Sequence, residues 1–271
     1  MALPTVKNLK HTINIAELKK DVKFRAMQIG EQKILITAIE MGDENALVNA
    51  IIDIVSACTF GELSIDKLPT HLVDFLYLKI FTKSSGEKSK ASFTCNNPIT
   101  VVKTEKVDSG EVDADGKPVM VDEEYEETDA CGQVFNVNIP LDRAEIIYPE
   151  GFEGSNIIMV DSETGIKLKV PNLEDYKKIN VETDKVLEVT DDFIFACIDS
   201  VFTSDSIQVP GNDFSAEEFK VWLDGLEGIV IEKMDKFFKN MPVLGLDLPV
   251  HCPKCKKEHS ICLRGLEDFF V

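Results

Sequence analysis

The run His251-Cys252-Pro253-Lys254-Cys255-Lys256-Lys257-Glu258-His259 holds the densest chemistry in the chain. A Cys-Pro-x-Cys turn places two thiolates on one side of a tight knuckle, with backbone amides aimed at the sulfurs. The lysines that follow favour the deprotonated thiols. One knuckle supplies two ligands, and a structural zinc site needs four. Cys95 and Cys131 are the natural second pair, because they bracket an acidic hairpin whose strand ends should lie close together. The expected centre is therefore Cys95, Cys131, Cys252 and Cys255 around one structural zinc ion. His259 and Cys262, just downstream, are local competitors for a ligand position. A reduced knuckle of free thiols is the plain alternative. A redox motif would need the pair at a helix start in a thioredoxin-like βαβ setting, which the surrounding sequence lacks.

Other constellations are poor. The chain has no Gly-rich phosphate loop, nucleophile elbow or His-Glu-x-x-His. His11 and His71 are isolated, and among 48 acidic residues some carboxylates approach each other by chance, so acid–base pairing does not follow. A non-enzymatic role is expected. The enzyme alternative, a zinc-dependent hydrolase, needs three protein ligands and an open position on the metal, which four thiolates would deny it. Cys58 and Cys197 lie on apolar helical stripes and are expected to be buried core thiols.

The elements that position these residues read as an α+β fold. Ile13 and Ile15, then Val22, Phe24 and Ala26, alternate on either side of a Lys19-Lys20-Asp21 turn, giving an N-terminal hairpin. Three helical stripes follow: Ile34, Leu35, Ala38, Ile39; then Leu47, Val48, Ile51, Ile52, Val55; then Leu72, Phe75, Leu76, Ile80 after Pro69. All three are expected to face the core. Residues 91 to 141 form a β-rich, zinc-ribbon-like centre around the turn Asp113-Ala114-Asp115-Gly116-Lys117-Pro118. Between Lys103 and Asp129 there are 11 acidic and 3 basic residues, which read as a solvated hairpin or as an acidic finger for a basic partner. A second hairpin spans residues 157 to 170. A helical C-terminal half follows: a helix opened by Pro171, one starting on Asp191-Asp192, one with a Ser215/Glu218 capping box, and one from Gly228 to Asn240. Strand-like residues 244 to 250 and 260 to 263 make a Cys-knuckle hairpin expected to pack on the β-rich centre. The implied regions are 1–90, 91–150, 151–243 and 244–271.

Composition narrows the classes. The formal charge of −19 argues against a nucleic-acid surface, which needs clustered Lys and Arg. No apolar run reaches the roughly 18–20 residues of a membrane helix. Residues 1 to 7 lack the apolar core of a secretory signal, and seven cysteines make a complete disulfide framework unlikely, so a reduced cytosolic setting is expected.

The ordered features carry a resemblance. Leu3-Pro4, Val22-Lys23-Phe24-Arg25, Glu31-Gln32-Lys33-Ile34-Leu35, a helix ending in Cys58, Lys67-Leu68-Pro69 and Leu72-Val73-Asp74-Phe75-Leu76-Tyr77-Leu78 open the pattern. Lys83-Ser84-Ser85-Gly86-Glu87, Cys95, Cys131-Gly132 before Ile139-Pro140-Leu141, the Asp191 helix and the segment from Cys252 to Phe270 complete it. This order resembles the baseplate hub (hub assembly) protein family of T-even-type contractile-tailed bacteriophages. The chain departs from the pattern at Ala26, where Pro is expected, and at Gln32, where a second Glu is usual. The resemblance implies a virion-assembly protein, located in the tail baseplate or in the host cytoplasm during assembly, with other baseplate or hub proteins as partners. A transient tail-assembly chaperone absent from the mature particle is the alternative. The resemblance implies no catalytic residues.

Overall fold

The computed structural model describes residues 8–86, 88–112, 118–150, 152, 155–176 and 186–270. Residues 113 to 117, where the sequence leads one to expect a turn, and the first seven residues lie outside them. The chain divides into two compact units. Unit 1 holds Met1–Lys88, Pro140–Leu246 and Leu263–Val271; unit 2 holds Ser89–Ile139 and Asp247–Cys262. Residues 247 to 262, with the Cys-Pro-x-Cys knuckle, thus belong to the same unit as Cys95 and Cys131.

The chain opens in unit 1 with the antiparallel pair β1 (His11–Ile15) and β2 (Lys20–Phe24), in register Ile13 to Val22. Period-two alternation turns Ile15, Val22 and Phe24 inward. Helix α1 (Ile29–Met41) starts where the Gln28 amide donates to Glu31 Oε2 at 2.7 Å, and Arg25 clamps the same carboxylate through both guanidinium nitrogens. It stops at Gly42, whose φ of 65° is the left-handed conformation that glycine adopts without a Cβ clash. Helix α2 (Glu44–Cys58) follows an Asp43 cap that accepts from the Asn45 amide. Helix α3 (Thr70–Ser85) is apolar nearly all round, and Leu72, Val73, Leu76, Leu78 and Ile80 are fully buried, as such a helix must be.

One expectation is overturned here. Most of the α1 stripe is not core: Ile34 and Ile39 are 52% and 59% exposed, Leu35 is half-buried, and only Ala38 is buried. The apolar residues of α1 run around most of the helix, wider than the one side that packs on α2 can cover.

In unit 2, β3 (Lys88–Thr94) pairs with β6 (Val134–Pro140), and β4 (Pro98–Val112) pairs with β5 (Pro118–Ala130). Among the described residues β4 and β5 pair only with each other. Their ribbon places Glu105 opposite Glu123 and Lys106 opposite Asp122, and Lys103 bridges to Glu127. Val102, Met120, Val121 and Tyr125 are all exposed, while Ile99 at the base of the ribbon packs against the cysteine cluster. Replacing residues 106 to 126 by a short Gly-Ser connector is therefore expected to change unfolding free energy by less than about 1 kcal/mol, because altering a surface loop costs little closure entropy. Denaturant unfolding of both forms checks this.

The chain re-enters unit 1 through a 3-10 turn at Leu141–Arg143, and the backbone carbonyls of Asp142 within it and Ala144 just after it accept from Lys79 Nζ. After β7 (Glu145–Ile147), strands β8 (Ser155–Met159) and β9 (Gly165–Lys169) form the second hairpin. Asp161 shapes its turn by accepting from the Glu163 and Thr164 amides. A short helix α4 (Leu173–Tyr176) and helix α5 (Val186–Ala196) follow. Here the structure corrects a second expectation. Asp191 and Asp192 lie within α5 rather than at its start, and the Asp191 carboxylate pairs with Lys220 Nζ at 2.6 Å instead of facing a helix-start amide.

Residues after Cys197 form β10 (Ile198–Phe202), which joins β9 and the short β11 (Ile207–Gln208) in a four-stranded antiparallel sheet of order β11-β10-β9-β8. Helices α6 (Ala216–Asp224) and α7 (Gly228–Lys239) cover it, α6 starting on the Ser215/Glu218 capping box. Ile166, Leu168 and Ile198 from the sheet meet Phe219, Met234 and Phe237 from the helices in one core. Finally β12 (Val243–His251) lies between β7 and β13 (Glu258–Arg264). The fold is α+β. No helix among the described residues is long and apolar enough to cross a membrane.

Candidate metal centre

The two single cysteines are brought together by backbone. Cys95 follows β3 and Cys131 follows β5. The Cys95 amide donates to the Gln133 carbonyl at 2.9 Å, Gly132 donates back to the Cys95 carbonyl at 2.9 Å, and Cys131 donates to Asn97 at 2.8 Å. Gly132 carries φ 66°, so the turn that presents Cys131 needs a residue without a Cβ penalty. The knuckle closes separately: Cys252 donates to the Lys257 carbonyl and Lys256 donates to Cys252, at 2.9 and 3.0 Å.

The result is one cluster. The ligand atoms of Cys95, Cys131, Cys252 and Cys255 all lie within 4.8 Å of one another. Cys95 and Cys255 sulfurs are 3.7 Å apart, as are those of Cys131 and Cys252. A tetrahedron of thiolates at about 2.3 Å from zinc has sulfur–sulfur edges of about 3.8 Å, so this donor set fits the ion. Cys95, Cys131 and Cys252 are buried and Cys255 is half-buried, with Ile99 and Phe135 packed against them.

The electrostatics are uneven. Burial pushes the Cys252 thiol up, but amide hydrogen bonds from Cys255 and Lys254 and contacts with the Cys255 and Cys131 thiols outweigh it and bring it down to about 6. Burial holds Cys95 up, at about 12, against the hydrogen bond from Asn97. Thiolates held this close to one another repel, so charge on one disfavours charge on its neighbours. A divalent metal reverses that balance.

All four sequence-derived ligands are therefore brought together; of the two competitors, His259 touches the cluster at Cys95, while Cys262 is not among the clustered groups. His259 stands beside the cluster with Nε2 3.2 Å from Cys95 Sγ and its ring 5.3 Å from that of Phe93. Cys262 is exposed, and its sulfur lies 3.8 Å from Ser260 Oγ. Sequence reasoning missed Asn97, whose side-chain amide donates to Cys255 Sγ at 3.7 Å, and Lys254, whose ammonium donates to the Cys131 carbonyl at 3.1 Å. Nothing in the spacing of either residue marks it.

Cys58 and Cys197 are buried, as their stripes implied. Burial, with Glu31 alongside, pushes the Cys58 thiol up to about 12, and burial with Asp175 does the same for Cys197. A thiol reagent is accordingly expected to modify Cys262 fastest in the native protein and to leave Cys58 and Cys197 unmodified until unfolding. Peptide mapping after timed alkylation reads this order; fast labelling of Cys58 would contradict it.

Comparison with known proteins places this geometry in context. Residues 7–271 match the family described as T4 bacteriophage base plate protein, which is nearly the whole chain. The chain belongs to the T4 base plate protein family. Among curated relatives, the baseplate hub assembly protein gp26 of Enterobacteria phage T4 is 27% identical over 143 residues. That alignment covers 52% of the chain and 59% of the relative, so it spans well under two thirds of the relative's length. No solved structure matches the chain.

Proposed function

We propose that the chain acts in assembly of the baseplate hub of a contractile phage tail, through contacts with other baseplate or hub proteins, and that its four clustered cysteines hold a structural zinc ion. The family match across residues 7–271 carries the first part. The 3.7 Å sulfur pairs support the second. When bound, zinc would join the knuckle to the Cys95 and Cys131 turns. Cys95, Cys131, Cys252 and Cys255 would complete a tetrahedron, leaving no position for water or substrate, so the site stabilises rather than reacts. His259 would donate to Cys95 Sγ and fix that ligand from outside the tetrahedron, the role that outer partners play around metals. The protein would work in the tail baseplate or in the host cytoplasm during assembly, with no nucleic acid or membrane required.

The test is genetic. A phage with a stop codon early in this reading frame should accumulate heads and incomplete baseplates, seen by negative-stain microscopy, and supply of the chain in trans should restore tails. Complete, infective tails formed without the chain would overturn the proposal.

A further inference from the structure

Within unit 1, away from the thiol cluster, a cavity of about 390 Å³ opens between β10, β11 and α6. Its floor is aromatic. Phe214 and Phe219 stack with centroids 5.9 Å apart, and the Trp222 ring lies 5.8 Å from that of Phe219. Its rim is acidic and polar: Asp213, Glu218, Thr203, Thr164 and Gln208. Among the described residues, no cationic side chain lines it. Each rim carboxylate spends one oxygen on local backbone: Asp213 Oδ2 accepts from the Val209 amide at 2.8 Å, and Glu218 Oε2 accepts from the Ser215 amide at 2.8 Å. A carboxylate has acceptor capacity beyond one such bond. These bonds therefore hold the two groups in place and leave them able to accept more.

We propose that this cavity receives an arginine side chain from an extended segment of a partner protein. The volume lies near the small end of the roughly 300–1,000 Å³ range of ligand sites, so it suits one anchoring side chain better than a large ligand. An aromatic floor attracts a cation through the ring quadrupole, and a flat guanidinium can lie on it while its edge donates to a carboxylate. Lysine offers the charge without the flat face or the fork of donors. A purely apolar anchor would desolvate Asp213 and Glu218 with nothing to pair them. The net charge of −19 adds a field that draws a basic segment in. The inference rests on the protein–protein role proposed above and names one surface for it.

Trp222 is the single tryptophan of the chain, so its emission reports this cavity alone. Titrating the full-length protein with N-acetyl-Gly-Arg-Gly amide at low salt is expected to change that emission saturably. The same peptide with citrulline or norleucine in place of arginine should bind at least about tenfold more weakly, since charge-assisted hydrogen bonds are roughly twice as strong as neutral ones. The double variant D213N/E218Q keeps an acceptor at each position, so the capping box and the Val209 contact survive. It should lose about the same factor for the arginine peptide and little for norleucine. If the variant does not fold, a salt series on the unmodified protein gives the same discrimination: arginine binding falls as salt rises and norleucine binding does not. No saturable change, equal binding of citrulline or norleucine, or an arginine affinity indifferent to salt and to the double variant would each overturn the proposal. Because the readout is this cavity only, such a failure is separable from failure of the baseplate role, which the stop-codon phage tests.

Discussion

Changing Cys252 to Ser is expected to abolish zinc retention and to unfold the cysteine-rich part of unit 2 at temperatures where the unaltered protein is stable. The reason is the small core of that unit. Cys95, Cys131 and Cys252, with Ile99, Phe135 and Cys255 against them, make up its central apolar cluster, and Val102, Met120, Val121 and Tyr125 of the β4–β5 ribbon are exposed and add nothing to it. Regions with so little to bury need a covalent or metal staple. Apparent zinc affinities of structural sites reach about 10–16 kcal/mol at neutral pH, and that binding energy is folding energy, so loss of one of four thiolates removes a large share of it. Cys252 is a telling position because it is fully buried and its sulfur lies 3.7 Å from that of Cys131. Metal analysis of reductively purified protein should give one zinc per chain before the change and none after it. Exposed Cys262 changed to Ser should retain the full complement. Equal metal content in Cys252→Ser, or no zinc in the unaltered protein, would contradict the assignment.

A second large effect is expected far from the thiols. Phe269→Ala should destabilise unit 1 by about 3–5 kcal/mol, the usual cost of deleting a buried phenyl group and leaving its cavity. Phe269 has no exposed surface and is the largest fully buried side chain among the described residues. It is locked in place by local structure. The Arg264 amide donates to Asp268 Oδ2 at 2.7 Å, and the Gly265 amide donates to the Leu244 carbonyl at 2.8 Å, so the last residues cannot swing away cheaply. Phe270 beside it is 42% exposed, with its ring 4.7 Å from Phe81, and its change to Ala should cost far less. Thermal unfolding of the two variants separates them; the metal content of folded protein should be the same in both. Equal melting points for Phe269→Ala and the unaltered chain would show that the C-terminal turn is not part of the core.

These two residues mark how far the sequence is legible. The thiol centre could be read because a Cys-Pro-x-Cys knuckle is local, and because one antiparallel ribbon must bring the residues at its two ends together. Phe269 could not be read, since a Gly-Leu-Glu-Asp-Phe-Phe-Val ending looks like any tail until β13 and its turn fix its direction. The α1 stripe illustrates the opposite failure. Its isoleucines satisfy helical periodicity, yet periodicity states only that a face exists, and coverage depends on what packs there. Strand β10 was hidden because Phe193, Phe195, Ile198 and Val201 suit a helix as well as a strand, and only pairing with β9 decides between them. The aromatic cavity was likewise invisible, because Thr164 and Trp222 meet only through the fold.

The central claim, that this chain assembles a baseplate by contact with its other proteins, is tested most directly by recovering it from infected cells. An affinity-tagged full-length chain, supplied during infection and purified under gentle conditions, should bring down baseplate or hub proteins in amounts comparable to its own by quantitative mass spectrometry. An untagged control should recover none of them. A chain that elutes alone, or with host proteins only, while baseplates assemble normally in the same cells, would contradict the account.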